Sequence, residues 1–180
     1  MKITSDHSIG LVIDFQEKLV PHMYESQQIV INTGILIQGL KILEIPVIAT
    51  QQYTKGLGST VKNLSQHLSG IPKIEKLSFS CCGEPDFMNE LRKHRKKFVI
   101  IAGIETHVCI LQTAADLIES GYKPVVIKDC VSSRKYEDKE TAISRIRDEG
   151  TIISSCESIL FELCQIAGTD KFKAISKLVK

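Results

Sequence analysis

Short apolar runs rich in β-branched residues recur along the chain: IGLVIDF at residues 9–15, PVIAT at 46–50, KFVIIAGI at 97–104, KPVVIKDCV at 123–131 and GTIISSC at 150–156. Their nearly continuous apolar character reads as strands buried on both faces. Between them lie stretches of helical character at residues 25–44, 85–94, 106–120, 137–149 and 158–167. Strand and helix alternating in this way predict parallel crossovers. A weaker strand is expected over residues 72–79, after the glycine-punctuated loop TKGLGST at 54–60. The expected fold is therefore α/β and Rossmann-like: a three-layer sandwich with a central parallel sheet of about six strands and helices on both faces. No repeat, low-complexity segment or linker interrupts the pattern, so residues 1–180 are read as one domain.

The stretch at 25–44 departs from simple amphipathicity. Ile29, Val30, Ile31, Ile35, Leu36, Ile37, Leu40, Ile42 and Leu43 place apolar side chains nearly all round a helix, more than one core-facing stripe needs. A subunit interface and a fully buried helix both account for it, and a homo-oligomer is the expectation carried forward.

Composition narrows the class. With 43% hydrophobic residues and 5 prolines in 180 residues, the chain can bury a full core. Its formal net charge is +2, and its basic clusters, RKHRKK at 92–97 and the tail DKFKAISKLVK, have no interleaved aromatic ladder. Both read as solvated helix ends, and nucleic acid is not the expected partner. No charged-then-apolar leader is seen, and no apolar run approaches the roughly 20 residues that span a bilayer, so the expectation is a cytoplasmic protein without a membrane partner. Six cysteines without C-x-x-C spacing, in a chain of this size, read as reduced thiols.

Ligands of parallel sheets bind beyond the carboxyl ends of the strands. That rule selects Asp14 after the first run, Gln51 and Gln52 after the second, Lys76 near the weak strand, and residues 104–109 after KFVIIAGI. One carboxylate, one ammonium and one thiol, Cys109, are thus expected on a single edge. Each alone has a plain structural role: a turn residue, a snorkelling lysine, a core cysteine. Other α/β chemistries lack their residues, since DFQEKLVP follows the first strand where a dinucleotide site needs G-x-G-x-x-G. A P-loop is absent, and Gln16 stands where a D-x-D magnesium pair would continue.

The ordered pieces VIDFQ, a lysine followed by LSFS, AGIETHVC and DCVSSR resemble the isochorismatase-like cysteine hydrolases across almost the whole chain, and ILEIPVIATQQYTKGLG and FKAISKLVK extend the likeness to the isochorismatase domain-containing proteins. The resemblance implies a catalytic triad of Cys109 as nucleophile, Asp14 as acid/base and Lys76 as third member. It also implies a cis peptide between Ile104 and Glu105 that aims the backbone N–H groups of Glu105 and Cys109 at an oxyanion. Gln16, Leu19, Gln52, Tyr53 and Phe79 are the expected substrate-binding residues. Lys76 and a helix N-terminus capped by Thr106 are expected to favour the Cys109 thiolate, with a midpoint below the roughly 8.5 of a free thiol. His107, two residues before Cys109, faces elsewhere.

Nicotinamidases of this superfamily hold a metal through a D-x-H cluster that TQQYTKGLGSTVKNL lacks, and His67 is isolated, so neither a metal nor a cofactor is expected. Enzymes that cleave isochorismate lack the nucleophilic cysteine, so Cys109 directs the expectation to C–N hydrolysis of a small amide or ureide. Two alternatives stay open: a non-catalytic oligomeric assembly protein that retains the pocket, and a redox-sensing thiol protein in which Cys82 resolves Cys109, with Cys81 and Cys82 otherwise packing a loop.

Overall fold

A computed structural model describes residues 2–180. Six strands, β1 (Ser8–Ile13), β2 (Val47–Gln52), β3 (Lys73–Lys76), β4 (Phe98–Ile104), β5 (Lys123–Ser132) and β6 (Ile152–Ser154), form one sheet in the order β3-β2-β1-β4-β5-β6. Every pairing is parallel. The helices are α1 (Ser26–Ile42), α2 (Thr54–Leu57), α3 (Lys62–Ser65), α4 (Pro85–His94), α5 (Leu111–Glu119), α6 (Tyr136–Asp148), α7 (Cys156–Cys164) and α8 (Asp170–Leu178). The α/β sandwich read from the sequence is the fold observed.

Two apolar layers flank the sheet. On one face Leu36, Ile37 and Leu40 of α1, Ile159 and Leu160 of α7 and Ile175 of α8 pack with Ile100 and Val125; on the other, Phe87 of α4, Leu117 of α5 and Ile146 of α6 pack with Val99 and Ile101. The central strands β1 and β4 are buried along their whole length, whereas the edge strands β3 and β6 are more exposed. This explains why the third run was the weakest signal in the sequence: an edge strand does not need continuous apolarity.

The all-round apolar helix is covered mostly from within the chain. The sheet takes one side of α1, and α7, α8 and α3 take the others. A Cβ at Gly39 would lie 2.4 Å from Leu160 Cδ2, so only glycine lets α7 approach so closely. Ile31 is left 55% exposed. The basic tail is α8, held by a Thr169 cap on the Phe172 N–H and by buried Ile175, with its lysines turned outward.

Chain order fixes where a crevice opens. From β1 the chain builds outward to β2 and β3, then returns to the other side of β1 as β4 and builds outward again. At such a switch point the two crossovers leave in opposite directions, and a crevice forms beyond the strand ends. The ends of β1 and β4 are Ile13 and Ile104; Asp14 follows the first, and Cys109 follows the second by one turn.

Candidate active site

Asp14 leaves β1 with φ of 56°, a left-handed conformation that Asp tolerates better than most residues. Its side chain turns into the crevice, where Thr50 donates to Oδ1 at 2.8 Å and Lys76 Nζ stands 2.7 Å from Oδ2. Thr50 lies opposite Ile13 in the β1–β2 register, so a polar residue in the second half of β2 reaches the carboxylate directly. Lys76, the last residue of β3, also reaches Cys109 Sγ at 3.6 Å. Asp14 and Lys76 are each 1% exposed and Cys109 is 7% exposed, so carboxylate, ammonium and thiol share one enclosed point.

The ammonium is crowded with acceptors. Besides Asp14 and Cys109 it faces Gln52 Oε1 and the carbonyls of Ser78 and Phe79, at 3.2 and 3.0 Å. Three N–H bonds cannot serve all of these at full strength, so acceptors outnumber the protons that Lys76 offers. Burial works against the charge, yet Asp14, Cys109 and Cys81 hold the lysine pKa above its ordinary value. Burial raises the Asp14 carboxyl as well; Lys76 and the Thr50 hydroxyl pull it back without overcoming that effect.

Cys109 lies in a wide π-type turn, Thr106–Ile110, between β4 and α5. The Glu105 carbonyl, which in an α-helix would accept from Cys109, accepts instead from Val108 and Ile110 at 3.1 and 3.2 Å. The Cys109 N–H is thereby left out of that ladder. The Ile104–Glu105 peptide is cis. The preceding glycine is required by packing: a Cβ at Gly103 would sit 2.7 Å from the Ile13 carbonyl oxygen, against β1. Glu105 extends toward Arg134, whose Nε donates to it at 2.9 Å, and with Leu19, His22 and Met23 these two line a cavity of about 600 Å³ at the same edge.

Several expectations change. Thr106 does not cap the turn: its hydroxyl is buried without a partner, and Glu105 occupies the capping position because the turn starts one residue earlier than a capped α-helix would need. Gln16 cannot touch substrate, since it is fully buried with its amide donating to the carbonyls of Gln52 and Gly58 and accepting from the Gln52 N–H. It braces Gln52, which in turn orients Lys76. Tyr53 and Phe79 are 49% and 54% exposed and stand at the rim, while Leu19 lines the cavity beside Glu105. His107 bonds Ser133 Oγ through Nδ1 at 2.8 Å, away from the thiol. Cys81 is buried with its thiol 4.0 Å from Thr50 Oγ1, and Cys82 is only partly buried. Thr50 and the Ser78 and Phe79 carbonyls are the parts of the site that the sequence reading missed. Thr50 had a signal, the polar residue that closes the apolar run at 46–50, but the backbone carbonyls had none. Among the described residues no group of three or more His, Cys, Asp or Glu side chains is arranged to hold a metal ion.

The isochorismatase domain matches this chain from residue 8 to residue 158. The chain belongs to the isochorismatase family. Isochorismatase domain-containing protein 2 of Danio rerio is 37% identical over 178 residues, a match that covers 99% of this chain and 89% of that one. A secreted isochorismatase effector of Phytophthora sojae is 37% identical over 182 residues, covering 96% and 84%. A solved structure described as the MAR1 ribonuclease of Caenorhabditis elegans superposes with a TM-score of 0.94 at 36% identity, covering 99% of this chain and 92% of its own. The YcaC gene product of Escherichia coli, an octameric hydrolase, shares the fold with a TM-score of 0.90 at 22% identity, covering 99% and 89%.

The thiol is the point at which the site departs most from expectation. Burial pushes the Cys109 pKa up to about 12, the Asp14 carboxylate adds to the rise, and Lys76 only partly offsets them. A resting thiol, not a stored thiolate, is therefore the ground state at neutral pH. Alkylation of Cys109 by iodoacetamide is expected to show a midpoint above the roughly 8.5 of a free thiol. Lys76→Met should raise that midpoint further and Asp14→Asn should lower it, because they remove opposite charges beside the same sulfur. Peptide mass against pH reads all three; a wild-type midpoint below that of a free thiol would contradict the account.

Proposed function

We propose that residues 1–180 act as a single cysteine-dependent hydrolase domain that cleaves a small amide, ureide or related C–N bond through a thioester. The observation that carries this reading is Lys76 Nζ, held 2.7 Å from Asp14 and 3.6 Å from Cys109 in an enclosed crevice. Because the thiol is protonated at rest, its proton passes to Asp14 as Sγ attacks the substrate carbonyl carbon. The N–H groups of Glu105 and Cys109 hold the oxyanion, and Lys76 keeps Asp14 and the sulfur aligned while charge moves between them. Collapse breaks the C–N bond, and Asp14 returns the proton to the leaving nitrogen. Water then gives a proton to Asp14 and attacks the thioester; the C–S bond breaks and Cys109 recovers its proton as the acid leaves. Leu19, Tyr53 and Phe79 shape the approach. Six unpaired cysteines fit a reducing, cytoplasmic setting.

Purified protein incubated with a broad panel of small amides and ureides, with ammonia detection and intact-mass capture of the acyl adduct on Cys109, tests the reading. Turnover without any Cys109 adduct under rapid quench, or no turnover across the panel, sinks it. The ribonuclease description of one relative supplies a second reading. Exposures of 1%, 1% and 7% at the three groups leave little access for a polynucleotide, so RNA cleavage, if seen, should survive Cys109→Ala.

Association is expected through the α1 edge, where Ile31 is exposed beside a groove of about 440 Å³ lined by Val20, Val30 and Val61. Sedimentation equilibrium at micromolar concentration should show an oligomer that Ile31→Glu weakens. A wild-type monomer removes this element without touching the hydrolase reading.

A further inference from the structure

A second pocket, of about 350 Å³, opens between the starts of α1, α6 and α7 and the far part of β5, and it shares no lining residue with the triad. A bulge in β5 makes it. Ile101 of β4 pairs with Val126 and Gly103 with Val131, so Ala102 alone faces residues 127–130. The extra length pushes Lys128 and Asp129 off the sheet and into the pocket wall, and bulges re-aim side chains in this way next to sites. The wall is internally tied: Lys128 pairs with Glu140 Oε2 at 2.9 Å, Asp129 accepts from the Cys156 N–H at 2.8 Å, and Asn32 donates to the Asp129 carbonyl at 2.9 Å.

Two polar atoms in this wall are left without a bond among the described residues. Lys139 is 6% exposed, yet among the described residues its ammonium makes no hydrogen bond and has no carboxylate oxygen within 4.0 Å. Glu140 Oε1 is enclosed and unbonded. A buried ammonium without a close counter-charge is costly, so Lys139, bordering the same pocket as the open Oε1 of a Glu140 whose other oxygen Lys128 holds, is the imprint of something that matches both. Burial lowers the Lys139 pKa while Glu25 and Glu140 oppose the fall, consistent with a cation short of one close counter-charge. At the mouth the Tyr24 and Tyr136 rings meet at 5.2 Å between centroids, tilted by 54°, and stay 38% and 47% exposed.

We propose that this pocket binds a small zwitterion of the α-amino-acid class with an apolar or aromatic body. Its carboxylate meets Lys139, its ammonium meets Glu140 and the tyrosine faces, and its body lies along the Tyr24–Tyr136 pair. A simple anion fits less well, because Glu25, Asp129 and Glu140 all border the space. The volume falls within the range of small-molecule sites.

The test uses the full chain and L-phenylalanine as probe, read by saturation-transfer NMR and calorimetry up to about 10 mM. Saturable binding is expected, with phenylacetate and phenethylamine, each lacking one charge, weaker by about tenfold or more. Lys139→Met, which keeps most of the stem, should abolish binding, and Tyr136→Ala, at an exposed position, should weaken it without a folding risk. Cys109→Ser should leave it unchanged, which separates this pocket from the catalytic crevice. No saturation with a folded protein, binding indifferent to both Lys139→Met and Tyr136→Ala, equal binding of phenylacetate, or loss of binding on Cys109→Ser each overturns the proposal.

Discussion

Cys109→Ala is expected to lower turnover of any substrate found by about 10⁴-fold or more, and Asp14→Asn by a similar factor. The two are expected to act on one bond-making event, since among the described residues Asp14 is the carboxylate that acts on the sulfur. Their effects should therefore not add: the double variant should be no slower than the worse single one by more than about tenfold. Circular dichroism guards against misfolding, and Cys109 with its small, buried thiol tolerates alanine better than a larger core residue would. The acid limb of kcat/KM should report Asp14. Its pKa is raised by burial, so activity should begin to fall, as pH is lowered, above the roughly 3.9 of a free aspartate. A limb at or below that value, or an Asp14→Asn enzyme that keeps most of its rate, would remove Asp14 as the base.

Lys76→Met should be the most destabilising single change in the site. Lys76 and Asp14 form an ion pair with side-chain exposures of 0% and 1%, and removing one partner of a buried pair costs roughly 3–5 kcal/mol because the other charge is left in place. The pH dependence is diagnostic. Without the ammonium, Asp14 has a folded pKa still further above its unfolded value. A group raised in this way contributes stability that is fully present below the unfolded pKa and lost as pH rises through the folded one. The gap between wild type and Lys76→Met should accordingly be widest near neutrality and narrow as pH falls toward about 4. Urea melts at several pH values measure it. Adding Asp14→Asn to Lys76→Met should restore much of the loss at neutral pH, which a role in packing alone would not produce.

The apolar runs at 9–15 and 97–104 were legible as buried strands because β1 and β4 lie at the centre of the sheet, where both faces must be apolar. The run at 72–79 was faint because β3 is an edge strand with alternating exposure. Helix 25–44 was ambiguous for a different reason: helical periodicity states which sides are apolar but not what covers them, and α7 and α8 arrive from more than a hundred residues away. Gln16 was misread for the same reason. A polar residue after a strand is compatible with solvent, substrate or backbone, and only the return of residues 52–58 over it supplies the carbonyls that engage its amide.

The chain by itself determined the α/β class, the strands at whose ends the candidate site lies, and the presence of one carboxylate, one ammonium and one thiol there. These follow from local periodicity and from residue identity, which sequence states directly. Tertiary structure decided the rest. The order β3-β2-β1-β4-β5-β6 sets the reversal between β1 and β4, and with it the distance from Lys76 to Asp14 and Cys109. It also decided the protonation of the thiol. Lys76 and a helix start read in sequence as forces toward thiolate, but burial and the adjacent Asp14 carboxylate act the other way and win. Burial depth and charge separation are sums over residues remote in sequence, and a local motif such as GIETHVC contains neither.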